Sequence, residues 1–534
     1  MNREGVSAQV SRVADDWSLD RRSFLKAGAS AGVLLLGAGG LLSGCSGKSS
    51  GPVNPGEVRV GGTLTAGMTG GGSAEALDAH NVMDNLTMAR LNALYSNLVR
   101  TTRDGRSFEL ALAQEMIPNP DATEWTILLK DGPRFHDGRP VTARDVVASF
   151  KRIVENDYPG KQGLGPIDLN KLSAVDDRTL KIAFTAPFAV FQEMAAAFEY
   201  NLYIVPEDYD PNKPIGSGPF VYESFEPGAQ SVFTRNTGYW EKGAGPYVDK
   251  LVIVSYQDET AQTNALLSGQ VDMINALSRT SSQVEKTGGR FQNSPSGSMS
   301  PFVMNVAQAP WNDERVRAAM RLICNRAEIQ AQALGGDGEV ANDLYSPLDS
   351  LYDDSIPQRE KNIAKAKALL REAGRESLEV DLVTRPAAPG MVQSAQVLAE
   401  QAKAAGVTIN VRQVTSGDFY AKYGKWNFCQ SNWSAVGFWA QTAMMLLPDS
   451  PYNDSGFDDP EFTKLYQEAI ALQDSSQRAE LAAKMQQIFH ERGSLIIPAF
   501  RSIIDGYAGR VGGAATSPVF SFNNYRFQDF WVAA

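Results

Sequence analysis

The stretch EWTILLKDGPRFHDGRPVTARDVVASFKRI, residues 124–153, decides the fold because it combines a strand, two turns and a helix start. Trp125, Ile127 and Leu129 alternate with the residues between them, as in a strand with one well-buried face. The strand must end at 131–138, where two Asp-Gly pairs and a proline favour turns. The first half of the stretch therefore predicts a strand followed by a double turn.

The second half of the stretch predicts a capped helix. Thr142 stands at the N-cap position, and Asp145 lies three residues later as an acidic form of the capping box. Apolar residues recur behind it at helical spacing: Val146, Val147, Phe150 and Ile153. Strand, double turn and helix together predict a rigid α/β unit.

The same stretch resembles a family signature. A strand ending in a basic residue, a Phe-His-Asp-Gly turn and a Pro-Val-Thr-Ala-x-Asp-Val helix start are typical of the family 5 extracellular solute-binding proteins of ABC importers, the large peptide- and nickel-type binding proteins. His136 and Asp137 suggest a catalytic pair at first sight. The simpler interpretation is that both side chains bond turn amides.

Further segments resemble the family across about residues 60–530. They are Leu77-Asp78-Ala79-His80, the turn 214–220 (PIGSGPF), the stretch 236–249 (NTGYWEKGAGPYVD), Gly269-Gln270-Val271-Asp272, and the strand and helix at 302–319. The resemblance implies an α/β fold of the periplasmic-binding-protein type (large, class II or cluster C), with two lobes, a hinge and a cleft between the lobes. Such a geometry suits hinge closure around a ligand.

The domain organisation expected from this resemblance has two lobes. Lobe I comprises 58–300 and 505–534, with an inserted subdomain at about 77–212, and lobe II comprises 301–504. The residues themselves predict a βαβ unit at 380–414, which implies a parallel strand pair. Single elements are also expected: a strand over 171–185 and a helix over 87–98.

The N-terminal segment resembles an export signal. Arg21 and Arg22, followed by Phe-Leu-Lys and a short apolar run, resemble a twin-arginine signal, here residues 1–44. Leu-Ser-Gly-Cys at 42–45 resembles a lipobox, which implies a lipidated Cys45 after cleavage. Residues 45–57 are a Gly/Ser/Pro tether. The expected location is the outer face of the cytoplasmic membrane, in the periplasm or cell envelope; an uncleaved anchor helix is the alternative.

Composition excludes some functions. The formal net charge of −11 over 534 residues argues against nucleic acid as a partner. The sequence after residue 57 contains no GxSxG elbow, and HExxH and CxxC motifs are absent from the whole sequence, so an enzyme is the weaker class and no catalytic residue is assigned. Three scattered histidines (His80, His136, His490) and the pair Cys324 and Cys429 make no metal site, and buried thiols are expected. We expect no cofactor.

The segment 430–454 is the predicted ligand wall. In peptide-binding relatives a Trp there is followed three residues later by an Asp that pairs with the ligand ammonium; here Trp433 is followed by Val436. Dipeptide binders also hold the ligand carboxylate with an Arg early in the helix that matches 391–405, where this chain has Val392 and Gln393. That Arg is missing, and Arg385 lies nearby as a substitute. Trp433 and Trp439 are predicted to line the ligand, although core packing is the alternative for both.

A Gly-rich loop at 67–72 completes the predicted site. Its backbone is expected to approach the ligand closely, through Met68 and Thr69. Without an acid at 436, a buried ammonium lacks a partner, so an N-blocked peptide, an opine-like conjugate or an oligosaccharide is expected, with ordinary peptides second.

The expected function is that of a monomeric, lipid-anchored binding protein that passes a small or peptide-like ligand to ABC permease subunits. A secreted enzyme and a ligand-sensing lipoprotein remain alternatives.

Overall fold

The structure, a computed structural model, describes residues 57–73, 75–82, 84–243, 245–276 and 282–533. Arg21, Arg22 and Cys45 lie outside these residues. In the described ranges, no helix combines the length and the apolar character that a membrane crossing requires.

The helices follow in chain order. They are α1 (Asn85–Leu94), α2 (Ala143–Glu155), α3 (Phe191–Ala197), α4 (Glu259–Leu267), α5 (Ser282–Lys286), α6 (Glu314–Ile323), α7 (Arg326–Ala333), α8 (Ile363–Glu372), α9 (Met391–Lys403), α10 (Ser416–Ala421), α11 (Phe438–Met445), α12 (Pro460–Ala471), α13 (Ser475–Arg492) and α14 (Ser521–Tyr525). In α14 the residues Phe522, Asn523 and Asn524 have left-handed backbone angles.

The strands are β1 (Thr63–Thr69), β2 (Ser96–Asn97), β3 (Val99–Thr101), β4 (Phe108–Leu110), β5 (Ala113–Pro118), β6 (Glu124–Leu129), β7 (Ser173–Ala174), β8 (Thr179–Ala183), β9 (Tyr203–Ile204), β10 (Phe220–Glu226), β11 (Gln230–Arg235), β12 (Lys250–Tyr256), β13 (Met273–Ala276), β14 (Arg290–Met299), β15 (Phe302–Met304), β16 (Glu339–Val340), β17 (Glu379–Thr384), β18 (Thr408–Gln413), β19 (Phe428–Gln430), β20 (Leu495–Ile496), β21 (Ala499–Tyr507), β22 (Val511–Gly512) and β23 (Trp531–Val532).

Three larger sheets organise the chain. An eight-stranded sheet has the order β10-β11-β12-β1-β13-β21-β14, with β16 also paired to β21; we call it and its helices the first unit. A five-stranded sheet, β18-β17-β19-β15-β20, forms the second unit with α6 to α13. A four-stranded sheet, β5-β6-β8-β7, forms the inserted unit with α2 and α3. Strands β17 and β18 are parallel, which confirms the predicted βαβ pair.

Two short crossings join the sheets of the first and second units. Between them the chain also adds β16 to the first sheet before it returns to the second unit. Strand β14 ends at Met299 and β15 begins at Phe302, while β20 ends at Ile496 and β21 begins at Ala499. Each short crossing contains a proline (Pro301 and Pro498), which cannot donate to a sheet ladder and so suits a break between two sheets. The lobe boundaries expected at 300/301 and 504/505 stay a prediction; the change of sheet falls at 300–301 and 497–498.

The stretch 124–153 folds as expected. In β6 the side chains of Trp125, Ile127 and Leu129 are buried, and together they line the core of the inserted unit. The backbone N–H of Thr142 donates to the Asp145 carboxylate at 2.8 Å, which confirms the acidic capping box at the start of α2. The local pattern therefore specifies this unit correctly.

His136 and Asp137 bond backbone amides, as the simpler interpretation predicted. His136 Nδ1 accepts from the N–H of Gly216 at 3.3 Å, and its Nε2 lies 3.1 Å from the carbonyl of Gly218. Asp137 accepts from the N–H of Arg139 at 3.1 Å. Burial lowers the pKa of His136. The ring therefore ties its own turn to the Gly-rich turn at 214–220.

Three predictions about single elements are wrong. Residues 171–185 form two strands, β7 and β8, because the Asp176 carboxylate accepts the N–H groups of Arg178 and Thr179 at 2.8 Å each and makes a turn. The helix predicted over 87–98 ends at Leu94, since Tyr95 is extended. The Gly-rich loop begins later than expected, because β1 runs on to Thr69.

Candidate functional site

Two adjoining cavities of about 50 and 260 Å³ lie between the inserted unit and the second unit. Both are lined by Thr101, Gly105, Ala197, Asp349 and Gly437. The smaller cavity also meets Gly297 of β14, a strand next to a crossing, and the larger one opens toward α13. We call the two together the interlobe cleft.

The second-unit wall of the cleft is held by Asp349 and its neighbours. Helix α11 starts after Gly437, which offers no capping side chain. The Asp349 carboxylate caps the helix instead, because it accepts the N–H of Phe438 at 2.8 Å. It also accepts the N–H of Leu351 at 2.9 Å. Ser346 adds a bond from its hydroxyl to the carbonyl of Val436 at 2.7 Å. A carboxylate at a helix N-terminus is also favoured by the helix dipole.

Three carboxylates line the interlobe cleft, and burial raises the pKa of each. The pKa of Glu199 rises to about 7, although its carboxylate accepts the N–H of Thr101 at 3.2 Å. Glu193 forms an ion pair with Arg478 at 3.0 Å. Among the described residues, no lysine or arginine pairs with Asp349. The cleft therefore holds carboxyl groups that a cationic group could contact, and such a contact would favour their charged forms.

A third cavity, of about 260 Å³, lies within the second unit; we call it the Arg385 cavity. Aromatic and basic residues dominate its lining: Arg385, Tyr420, Tyr423, Lys425, Trp433 and Tyr452. Carboxylates are absent from its described lining.

Arg385 is buried but keeps its charge compensated by polar and aromatic groups. Its Nη1 donates to the carbonyl of Gln430 at 3.1 Å and its Nη2 to the Tyr420 hydroxyl at 3.2 Å. The guanidinium lies 3.7 Å from the centre of the Phe419 ring, a close cation–π contact. Asp454, buried nearby and bonded to the Ser431 hydroxyl, has a pKa raised by burial to about 6.

The structure divides the predicted ligand wall. Arg385 and Trp433 line one cavity together, whereas Val436 lines the interlobe cleft. Trp439 borders the larger cleft cavity but is only 3% exposed, because α11 packs its ring against Phe438 and Tyr466. The sequence suggested that the two tryptophans form one wall, but they face different cavities. Trp439 is mainly a core residue.

Met68 and Thr69 line none of the three cavities. The side chain of Met68 is fully buried in the core of the first unit, so only its backbone could approach a ligand. The N–H of Thr69 donates to the side chain of Asn275 at 3.3 Å. Contact between these residues and a ligand stays a prediction.

The two cysteines of the described chain are buried and unpaired. Burial raises the pKa of both thiols, that of Cys324 to about 12. Both lie in hydrophobic cores, as expected of structural thiols. They offer the site no nucleophile.

Sequence reasoning missed Glu193, Glu199 and Asp349. Glu193 lies in α3 and Glu199 just after it, whereas Asp349 belongs to the second unit. Only the pairing of the units brings them to one cleft. A search for acids near position 436 in the sequence does not find them.

Comparison with known proteins identifies the family. Residues 107–455 match the family described as bacterial extracellular solute-binding proteins, family 5 Middle. The Dipeptide-binding protein of Escherichia coli is 25% identical over 469 residues, 80% of this chain and 87% of that protein. The Oligopeptide-binding protein AppA of Bacillus subtilis is 28% identical over 359 residues, which span 62% of this chain and 64% of AppA.

Solved structures support the fold. The substrate-binding protein CtaP of Listeria monocytogenes superposes with a TM-score of 0.78 at 23% identity, covering 89% of this chain and 100% of CtaP. AgaA of Agrobacterium (A.tumefacien R10), solved with agropinic acid, gives a TM-score of 0.73 at 23% identity, over 89% of this chain and 99% of AgaA. The fold is therefore the two-lobed α/β fold of these binding proteins, and the chain belongs to the bacterial extracellular solute-binding proteins of family 5.

Proposed function

We propose that this protein captures a peptide in the interlobe cleft outside the cytoplasm and delivers it to the permease of an ABC importer. The observation that carries the proposal is a cleft with the inserted unit on one side and the second unit on the other. The sheets of the first and second units are joined at the short crossings 300–301 and 497–498 and through the pairing of β16 with β21. Such a connection lets the units close around a ligand. Relatives are named as dipeptide-, di/tripeptide- and oligopeptide-binding proteins, which supports the ligand class.

The polarity of the cavities favours a ligand with a free amino terminus and a free carboxyl terminus. The interlobe cleft presents the carboxylates of Glu199 and Asp349, whereas the Arg385 cavity presents a guanidinium. The short segment from Trp433 to Val436 runs from one cavity to the other. A zwitterionic peptide satisfies both ends, since buried charges need partners.

This ligand differs from the first choice made on the sequence. The missing acid at position 436 argued against an ordinary peptide. Asp349 supplies a carboxylate to the cavity that Val436 lines, so an ammonium there has a partner after all. Ordinary peptides therefore replace N-blocked peptides, opine-like conjugates and oligosaccharides as the favoured ligands.

Calorimetric titration tests the ligand class. The titrants are matched peptides with a free amino terminus, with an N-acetyl group and with a C-terminal amide. We expect the free peptide to bind most tightly and each blocked form to bind at least about tenfold more weakly, because a hydrogen bond to a charged group contributes about 1.5–3 kcal/mol. Equal or tighter binding of the N-acetylated peptide would refute the proposed ligand.

Turnover and uptake measurements distinguish a transport protein from an enzyme or a sensor. A secreted enzyme would convert the peptide, and turnover that survives repurification would contradict a binding role. A ligand-sensing lipoprotein would bind equally well, so the deciding observation is uptake of a labelled peptide. We expect a deletion strain to lose that uptake and a plasmid copy to restore it.

We further propose export through the twin-arginine route and anchoring through Cys45, with the mature protein acting as a monomer. The support is the order of the two motifs in residues 1–44 and the tether that follows them. Stable anchoring takes two lipid chains, and a diacylglyceryl group supplies both.

A further inference from the structure

The inserted unit and the second unit touch directly at one end of the interlobe cleft. The N–H of Ala189 donates to the carbonyl of Ile470 at 2.6 Å. The side-chain amide of Gln473 donates to the carbonyl of Asn119, also at 2.6 Å. Arg478 completes the contact through its ion pair with Glu193 at 3.0 Å. Arg478 also donates to the carbonyl of Ala189 at 3.5 Å. Four bonds therefore join two units that belong to separate sheets.

The second-unit side of this contact is the corner between α12 and α13. The last carbonyls of a helix have no partner within the helix. Ile470 is in the last turn of α12, and the inserted unit provides the missing donor through Ala189. Arg478 donates to the carbonyl of Leu472 at 3.1 Å as well, so it binds the corner and Glu193 together. The corner is therefore completed by groups from the inserted unit.

Apolar side chains back these polar bonds. Helix α3 of the inserted unit packs against α11 of the second unit. Phe191 and Met194 belong to the same continuous buried cluster as Phe438 and Trp439. Glu193 and Arg478 keep 28% and 13% of their side chains exposed, so their ion pair lies at the edge of this contact.

The contact lies away from the crossings along the cleft. Gly297 of β14, next to the first crossing, lines the smaller cavity. Glu193, Ser475 and Arg478 line the larger cavity instead. The cleft thus has the covalent crossings toward one end and the contact of Ala189, Glu193, Gln473 and Arg478 at the other.

We propose that this contact is a latch that holds the mouth of the cleft closed. Separating the units requires breaking all four bonds and exposing the apolar edge between α3 and α11. The protein's own contacts therefore set part of the closing free energy, and the ligand supplies the rest. Weakening the latch lowers apparent ligand affinity in proportion to the lost closed population, without removing any ligand contact.

Hydrogen exchange at two adjacent amides tests the latch without any ligand. The N–H of Ala189 donates across the contact, whereas the N–H of Phe188 donates to the carbonyl of Ala122 at 2.9 Å, within the inserted unit. Opening of the latch exposes the first amide and leaves the second protected. Mass spectrometry with electron-transfer fragmentation resolves the two positions.

The variants are Arg478→Ala and, as a milder change, Gln473→Ala. We expect exchange at Ala189 to accelerate about threefold to tenfold in both, with exchange at Phe188 unchanged. The reason is that Arg478→Ala removes two bonds of the latch and Gln473→Ala removes one. The matched control is Arg412→Ala, which removes an exposed ion pair with Asp381 inside the second unit and leaves both amides unchanged.

Two outcomes overturn the latch. One is exchange at Ala189 that stays at its original rate in both variants. The other is equal acceleration at Ala189 and Phe188, which shows loss of the inserted unit's structure instead of opening. Because the readout needs no peptide, a failed latch leaves the proposed ligand class untouched, and the reverse also holds.

Discussion

The carboxylate of Asp349 accepts the backbone N–H of Phe438 at 2.8 Å, which places an acid beside the start of α11, two residues after Val436. The family resemblance predicts that the acid that pairs with a ligand ammonium stands at position 436. In this chain that position holds valine. The fold brings another carboxylate to the same cavity from a different part of the chain. A carboxyl group thus lines the cavity that Val436 lines, although position 436 itself holds no acid.

Asp349→Asn should weaken binding of peptides with a free amino terminus by about tenfold to a hundredfold. The amide keeps one acceptor but loses the negative charge, and a bond to a charged group is worth about 1.5–3 kcal/mol. Calorimetry measures the ratio of affinities for the free and the N-acetylated peptide. We expect this ratio to collapse toward one.

The control for that change is Asp354→Asn, which removes the same charge from an exposed position. It should leave the ratio as it is. If the affinity ratio is unchanged in Asp349→Asn, another group binds the amino terminus of the peptide.

Val436→Asp tests whether position 436 faces the ligand. Val436 lines the smaller cleft cavity, so an aspartate there should tighten binding of free-amine peptides by a few-fold and leave N-acetylated peptides unimproved. Val436→Asn, of the same size but neutral, is the matched control. An unchanged affinity in the aspartate variant would place the ligand elsewhere in the cleft.

Arg385→Gln should reduce the preference for a free carboxyl terminus over a C-terminal amide, by about tenfold or more. The guanidinium is the one buried cation in the described lining of its cavity. Arg412→Gln, on an exposed strand position, serves as the control and should change nothing. Equal loss for both peptide forms would mean that Arg385 acts only on stability.

Stability should fall as pH rises from about 4 to 7 because of Asp505. This carboxyl is fully buried on β21, and burial raises its pKa to about 7. The folded protein then holds the proton more tightly than the unfolded chain, whose pKa is ordinary. The contribution is therefore fully present below the ordinary carboxyl pKa and is lost as pH rises through about 7.

Chemical denaturation of Asp505→Asn at pH 5 and pH 8 measures this effect. The asparagine cannot ionise, so the free energy of unfolding of the variant should depend less on pH by about 1 kcal/mol or more. The bond from the N–H of Phe522 to the side chain, 3.0 Å long, can be kept by the amide oxygen. An unchanged pH slope would assign the dependence to other groups.

Cys45→Ala should release the protein from the membrane fraction or leave an uncleaved precursor. Intact-mass measurement of the membrane fraction should find Cys45 carrying lipid in the unaltered protein. The double change Arg21→Lys and Arg22→Lys should keep the protein in the cytoplasm, because the proposed twin-arginine route depends on the paired arginines. Unmodified Cys45 in membrane-bound protein would contradict the anchor.

Local patterns were enough to predict several elements. The βαβ unit from β17 to β18 follows from strand alternation and helical spacing, and the capping box of α2 follows from Thr142 and Asp145 alone. Local reasoning failed where a few side-chain bonds decide, as at Asp176, whose turn splits the strand expected over 171–185. Alternation alone does not reveal such a turn.

The site was harder to predict because distant segments build it. Family resemblance suggested Trp433 and Arg385 separately, and the structure brings them to one cavity because β17 and β19 are neighbouring strands. Glu193 and Asp349 meet at the cleft only through the packing of the inserted unit on the second unit. The local sequence pattern does not predict that these two residues line the same cavity.

The second unit begins and ends on partnered residues, since Phe302 of β15 lies opposite Ile496 of β20. Residues 302–496 thus form one continuous cassette whose two ends sit side by side. A chimera with a relative needs only two junctions, one in each proline-containing crossing, to exchange this cassette. Such an exchange would replace one wall of the interlobe cleft as a single segment and leave the inserted unit and the N-terminal region as they are.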